Sequence, residues 1–370
     1  MEQSCVGIRA AASLNWIVMT QITRRHFLQA AAAASLSVPT GALAQPKRSA
    51  FGSAAQIEFF RADPRYREAL LRYCDVIVPM NDLKWEALRH KRDGFDFSGA
   101  DELIGFARNA GKTLRGHALV WGDALPPWAK EMKTAAEAER ELIRHIETVV
   151  DRYKGVIGSW DVVNEVIAHD PLAGAGPLRD TIWLRLLGPG YIETAFKTAA
   201  RIDPSARLVL NDYDFENPDP RTRARREEAI RIIRRLKDKG IPIHTVGFQA
   251  HLYGERDMDG PGLQKFCLDL SKLDVGTVVT ELDVIDWRFP PEPAARDQAA
   301  ANLVQSFLSA MSLINRPEAI ITWGMSDANS WISTTFKRDD RRPSRPLPLD
   351  VNYKPKPMMK VIEQFTRARV

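Results

Sequence analysis

The most restrictive feature of this 370-residue chain is a regular alternation along its length. Short apolar runs rich in β-branched residues recur at 51–55, 76–78, 113–118, 159–163, 208–210, 245–248, 277–280 and 319–322. Between them lie longer stretches, among them 135–153, 191–202, 223–239 and 298–313, whose apolar residues fall at helical spacing. A brief continuous apolar run reads as a strand covered on both faces. Strands of that kind separated by amphipathic helices read as β-α units around a parallel sheet. Gly240-Ile241-Pro242 is a helix stop followed by re-entry into a strand. No proline- or serine-rich linker divides the chain after Gln45, and no sequence repeat is evident. The expectation is therefore an α/β fold, a single (β/α)8 TIM barrel over residues 45–370.

Catalytic residues of such barrels sit at the C-terminal ends of the strands. Here the runs end in polar or aromatic groups: Asn81 with Lys84, His117 with Trp121, Asn164-Glu165, Asn211-Asp212-Tyr213, Gln249 with His251, Glu281, and Trp323. One polar strand end carries little information, but seven converging on one rim indicate a site. Two segments stand out, Trp160-Asp161-Val162-Val163-Asn164-Glu165 and Val278-Val279-Thr280-Glu281-Leu282-Asp283. Each delivers a carboxylate from a buried strand. A carboxylate pair, roughly 5–5.5 Å apart, is what a retaining glycosidase uses as nucleophile and acid. The two environments must push the pKa values in opposite directions. Glu281, with His251 and Gln249 as candidate donors, suits the nucleophile; Glu165 follows Asn164, whose amide is suited to holding a sugar hydroxyl beside the acid.

Each residue also has a plainer reading. A lone glutamate at a strand end is as often structural as reactive. Asp161 and Asp283 read either as the ionisable groups that matter or as members of buried pairs with Arg or His. His117 by itself reads better as a satisfied core histidine. Trp85, Trp121, Trp160, Trp323 and Trp331 read as core or as flat faces for sugar rings.

Charge excludes little beyond nucleic acid. The net charge of +5 falls to about +3 without Arg9, Arg24, Arg25 and Glu2, too small an excess to mark a nucleic-acid binder. The basic run from Arg221 to Lys239 carries Ile230, Ile233 and Leu236 at helical spacing and reads as a solvated helix face. Thr23-Arg24-Arg25-His26-Phe27-Leu28 resembles a twin-arginine export motif. It precedes an alanine-rich stretch and Ala42-Leu43-Ala44, a small-x-small cleavage site. Residues 1–44 are thus expected to be a signal peptide, with the protein periplasmic or secreted. The apolar segment is too short for a stable membrane span. Apart from Cys5 in that signal, Cys74 and Cys267 are far apart and not at metal-ligand spacing. Cys74 is expected to be a buried thiol, with a disulfide to Cys267 the minor alternative. No metal or organic cofactor is expected, since two carboxylates suffice and no His/Asp/Glu cluster has ligand spacing. A monomer is expected.

Over nearly all of the mature chain the sequence resembles glycoside hydrolase family 10, the endo-β-1,4-xylanases. The resemblance rests on ordered segments. They are Asn81-Asp82-Leu83-Lys84-Trp85, Arg115 to Trp121, Trp160 to Glu165, Asn211-Asp212-Tyr213, and Gly247-Phe248-Gln249-Ala250-His251-Leu252. Thr280-Glu281-Leu282-Asp283, Trp323 to Asp327 with Trp331, and Asp350 to Pro357 complete the set. It implies a (β/α)8 barrel that hydrolyses xylan with retention of configuration, Glu165 as acid/base and Glu281 as nucleophile. It implies that Asn164, Gln249 and His251 line the sugar site at the cleavage point. Asn81, Lys84, His117, Trp121, Tyr213, Trp323 and Trp331 are then implied at the non-reducing-side subsites. Three positions depart from the family pattern: Met80 where Glu is usual, Gly122 where His is frequent, and Ile332 where Arg is common. All three are expected beside the non-reducing side of the cleft, where fewer hydrogen-bond partners would weaken or alter xylose binding.

Overall fold

The computed structural model describes residues 48–366; the signal expected over 1–44, with Cys5, lies outside the described residues. The strands are β1 (Ala50–Ala55), β2 (Val76–Pro79), β3 (Thr113–Gly116), β4 (Ser159–Asn164), β5 (Arg207–Asp212), β6 (Thr245–Phe248), β7 (His251–Tyr253), β8 (Gly276–Ile285) and β9 (Ala319–Thr322). Every pairing between them is parallel. The sheet runs from β6 back to β1, continues through β9 to β8, and closes where β8 pairs with β6. Those eight closing strands are the eight apolar runs, so the barrel expected from the alternation is the fold. β7 was not foreseen. It has three residues, too few to express a period, and pairs only with the outer part of β8, from Asp283 to Ile285.

The helices form because their ends carry the right groups. Helix Ala135–Arg152 starts at Thr134, whose hydroxyl accepts from Glu137 N, satisfying a donor that the first turn leaves open. Helix Pro220–Asp238 starts with Asp219 accepting from Thr222 N and a proline in the first turn. Gly240, with φ 64°, follows its end. The run Arg221–Lys239 is only partly the solvated face expected. Arg225 is fully buried and reaches the carboxylate of Asp212 and the carbonyl of Tyr213, while Arg226 bonds Phe215 O and Asp259. These two arginines lash the helix to the barrel rim.

Alternate residues along the strands feed two separate cores. Ile77, Leu114, Leu208, Val246, Val279 and Ile320 face the helix layer, packing with Leu142, Ile146, Phe196 and Phe307. Inside the barrel lies a smaller cluster of Ala54, Val76, Val78, Met80, Val209, Val278, Ala319, Ile321 and Trp323. Trp160 is fully buried, and a Cβ at Gly116 would lie 2.1 Å from its ring. Only glycine lets β3 pass there. Trp85, at 2% exposure, is likewise core. Arg115 pairs with Asp161 inside the barrel, and His117 Nδ1 lies 3.0 Å from the second oxygen of Asp161. Asp161 is therefore the buried-pair alternative. Cys74 and Cys267 are buried thiols, and no disulfide joins them. No helix among the described residues is long and apolar enough to cross a membrane.

Candidate active site

Two interruptions of strand alternation build the site. The pairing of β4 with β5 shifts register between Asp161 and Val163, and that of β8 with β9 shifts between Val279 and Leu282. Such bulges re-aim side chains. Asp161 and Asn164, three apart, thus both reach the barrel axis, and so do Thr280 and Glu281. At the end of β4 the chain turns through Glu165, whose φ of 54° is left-handed. That conformation costs a non-glycine residue on the order of 1 kcal/mol or more. It is held by Glu165 N donating to Asn211 O at 2.9 Å and Ile167 N donating to Asp212 at 3.1 Å.

Around these strand ends lies a cavity of about 340 Å³. It is lined by Lys84, His117, Trp121, Asn164, Glu165, Tyr213, Gln249, His251, Glu281, Trp323 and Trp331, all expected from the sequence. Asn81 does not line it; it is exposed and accepts a hydrogen bond from Lys84 Nζ at 2.8 Å. Lys84 Nζ stands 5.0 Å from the Trp121 ring and 5.6 Å from that of Trp323. His117 meets Trp323 edge to face at 5.0 Å.

Glu281 is 5% exposed. Its Oε1 accepts from Asn211 Nδ2 at 2.7 Å, and its Oε2 lies 3.3 Å from His251 Nε2. Burial pushes this carboxyl up, but the His251 hydrogen bond, the neighbouring imidazoles and the Asn211 bond outweigh it. The net effect holds it below its ordinary value. His251 Nδ1 bonds Asp283 at 2.8 Å. Burial opposes protonation of His251, yet the Asp283 and Glu281 carboxylates raise its pKa well above the usual range. The imidazolium therefore donates from both nitrogens. Trp331 Nε1 donates to the other oxygen of Asp283 at 2.7 Å, so Asp283 orients His251 rather than reacting.

The amide supporting Glu281 is not the one expected. Gln249 Nε2 turns instead to Glu165 Oε1 at 3.2 Å and Asn164 Oδ1 at 3.4 Å. Asn211 takes the place beside Glu281, because a Cβ at Gly247 would lie 2.2 Å from Asn211 Oδ1 and glycine leaves that slot open. Thr280 Oγ1 donates to Asn211 Oδ1 at 2.7 Å, and Asn211 Nδ2 also donates to Asn164 Oδ1 at 2.7 Å. The oxygens of Asn164 and Asn211 are thereby occupied. Glu165, its side chain 15% exposed, accepts from Arg179 Nη1 at 2.6 Å, and Arg179 also bonds Asp123 at 2.7 Å.

Arg179, Asp123, Asp214 and Tyr253 escaped the sequence reading. Tyr253 ends the three-residue β7, Asp214 stands two residues past β5, and Asp123 and Arg179 are on loops; none falls in an apolar run or in the ordered family segments. Asn211 and Asp283 carried the strand-end signal but were not assigned to the site. Met80 is 4% exposed, inside the barrel cluster with Trp323, and Ile332 is fully buried. Neither side chain lines the cavity. A Cβ at Gly122 would lie 2.4 Å from Thr181 Cγ2, so a larger residue needs that threonine to move.

Known proteins share this architecture. A β-1,4-xylanase of Dictyoglomus thermophilum is 33% identical over 316 residues, covering 81% of this chain and 84% of that protein. Endo-1,4-beta-xylanase 3 of Hypocrea jecorina is 33% identical over 297 residues, covering 79% of this chain and 76% of that enzyme. The crystal structure of xylanase 10B from Thermotoga petrophila RKU-1 with xylobiose superposes with a TM-score of 0.77 at 30% identity. That match spans 86% of this chain and 94% of the other. The family model of glycosyl hydrolase family 10 matches residues 41–365, and the chain belongs to that family.

Proposed function

We propose that the protein is an endo-1,4-β-xylanase that cleaves xylan with retention of configuration, Glu281 acting as nucleophile and Glu165 as acid/base. The observation that carries the assignment is the unequal setting of the two carboxylates. Glu281 is buried and kept ionised by the His251 imidazolium and Asn211, whereas Glu165 stands at a more open position across the same cavity. In the first step a Glu281 oxygen attacks the anomeric carbon, the glycosidic C–O bond breaks, and Glu165 gives its proton to the leaving oxygen. In the second, Glu165 takes a proton from water, the water oxygen bonds to the anomeric carbon, and Glu281 is released. Lys84 and the ring faces of Trp121 and Trp323 offer a cation and flat surfaces to the sugar chain. Glu281→Gln is expected to abolish hydrolysis of xylo-oligosaccharides while calorimetric binding persists; undiminished turnover would overturn the assignment.

Arg24-Arg25 followed by Ala42-Leu43-Ala44 supports export of a folded protein with cleavage after Ala44, and we propose that it works as a monomer. N-terminal sequencing and light scattering on the exported protein test both points. An uncleaved N-terminus or a dimeric mass refutes the corresponding one.

A further inference from the structure

Among the described residues, five half-buried aromatic side chains pack against neither apolar core: Trp121, Tyr213, Tyr253, Trp287 and Phe336. The first three line the cavity. The other two have no such reason to be there, yet they are joined to it. The Phe336 ring lies 5.5 Å from that of Trp331 and 6.0 Å from that of Tyr253, both cavity residues. Trp287 meets Phe336 edge to face, also at 6.0 Å. The aromatic surface thus leaves the cavity by way of Trp331 and Tyr253, meets at Phe336 and continues to Trp287.

The surroundings suit a pyranose ring. Trp287 is fixed by Nε1 donating to Glu255 at 2.7 Å, which sets its plane without burying it. Arg288 lies 5.6 Å from the Trp287 ring and Arg256 lies 3.6 Å from the Tyr253 ring. Flat apolar faces beside charged hydrogen-bonding groups match a sugar, which offers a C–H face to the rings and hydroxyls to the polar groups. Trp287 follows β8, the strand that bears Glu281, within two residues of its end. A chain threaded past Glu281 therefore has this surface within reach.

We propose that Trp287 and Phe336, continuing from Tyr253 and Trp331, form an outer platform. It stacks a sugar of the same β-1,4-linked chain, beyond the one seated at Glu281. The proposal rests on the xylanase reading above. It makes Trp287 a specificity residue for chain length, not a catalytic one.

The test is kcat/KM along the series from xylobiose to xylohexaose. Trp287→Ala is expected to lower the longer substrates by roughly three- to tenfold, the value of one aromatic contact, while the shortest cleaved substrate stays within about twofold. Trp287→Phe is expected to recover most of the loss. An equal fall at every length would mean that the rings merely buttress Trp331, and no change at any length would mean that no sugar lies there; either overturns the platform. Wild-type protein inactive on the whole series would instead refute the xylanase reading itself.

Discussion

Replacing Asn211 with alanine removes three hydrogen bonds at once: to Glu281, to Asn164 and from Thr280. Only the first touches the proposed nucleophile, and it ends on an ionised group, where a net contribution of about 1.5–3 kcal/mol is ordinary. Since about 1.36 kcal/mol is a factor of ten in rate, kcat/KM should fall roughly ten- to hundredfold. Thr280→Val provides the comparison. It deletes only the neutral bond that holds the Asn211 carboxamide in its orientation, worth about 0.5–1.5 kcal/mol, so its loss should be the smaller of the two. Asn211→Asp should be the worst, because it sets a second buried carboxylate against Glu281 and the two cannot both ionise. The suitable substrate is an aryl xylobioside with a good leaving group, whose departure needs attack by Glu281 but little help from Glu165. Melting temperatures measured alongside separate activity from folding. An Asn211→Ala protein of normal stability within about threefold of the parent would show that this amide does not support the nucleophile.

Two further outcomes concern pH. As the proposed nucleophile Glu281 must be ionised, and His251 holds its carboxyl below the ordinary value, so His251→Phe should move the acid limb of the kcat/KM profile to higher pH. A limb that stays or moves down refutes the pairing. His145 is fully buried, stacked 4.1 Å from Trp85, with neither ring nitrogen hydrogen-bonded to a protein group. Burial, joined by the charge of Arg89, drives its pKa well below the usual value. The unfolded chain then binds the extra proton near pH 6.5, so this contribution to stability is present above about pH 6.5 and declines as pH falls below it. His145→Phe should flatten that decline in urea unfolding midpoints, and an unchanged slope would refute it.

The barrel was legible because its strands are buried on both faces. Such strands spell out uninterrupted apolar runs, and all eight runs became barrel strands. β7 was not legible, since three residues riding on the outer part of β8 have no pattern of their own. At the site, residues within or directly after a run, or inside an ordered family segment, were readable, and residues outside both were not. His251 and Glu281 were found together by adjacency to strands. Arg179, although it touches Glu165, lies 14 residues further on in a loop whose position depends on the fold. Gln249 was found but given the wrong neighbour. The choice between Glu165 and Glu281 depends on Gly247 vacating the space that Asn211 fills, a matter of packing depth that strand order does not encode. Met80 packs in the cluster of the cavity residue Trp323 and Ile332 follows the cavity residue Trp331, but both are buried and neither lines the cavity.

The bulges explain why two adjacent polar positions serve one site. With strict alternation, a strand that points Val278 and Thr280 at the axis would send Glu281 into the helix layer. A carboxylate there would be buried without partners, at a cost of several kcal/mol. The register shift between Val279 and Leu282 turns Glu281 and Asp283 inward instead. Thr280 remains facing Asn211, so anchor and proposed nucleophile come from consecutive residues. The matching shift in β4 lets Asp161 keep its pair with Arg115 while Asn164 reaches Asn211. The left-handed turns at Glu165 and Ala250, with φ of 54° and 58°, lie where these strands meet their neighbours. At Ala250 the turn is held by Glu281 N donating to Gln249 O and Asp283 N to Ala250 O. Backbone strain at the rim is thus tied to the residues that hold the two carboxylates. Regularising either strand by deleting its extra residue should disarm the site before it unfolds the barrel.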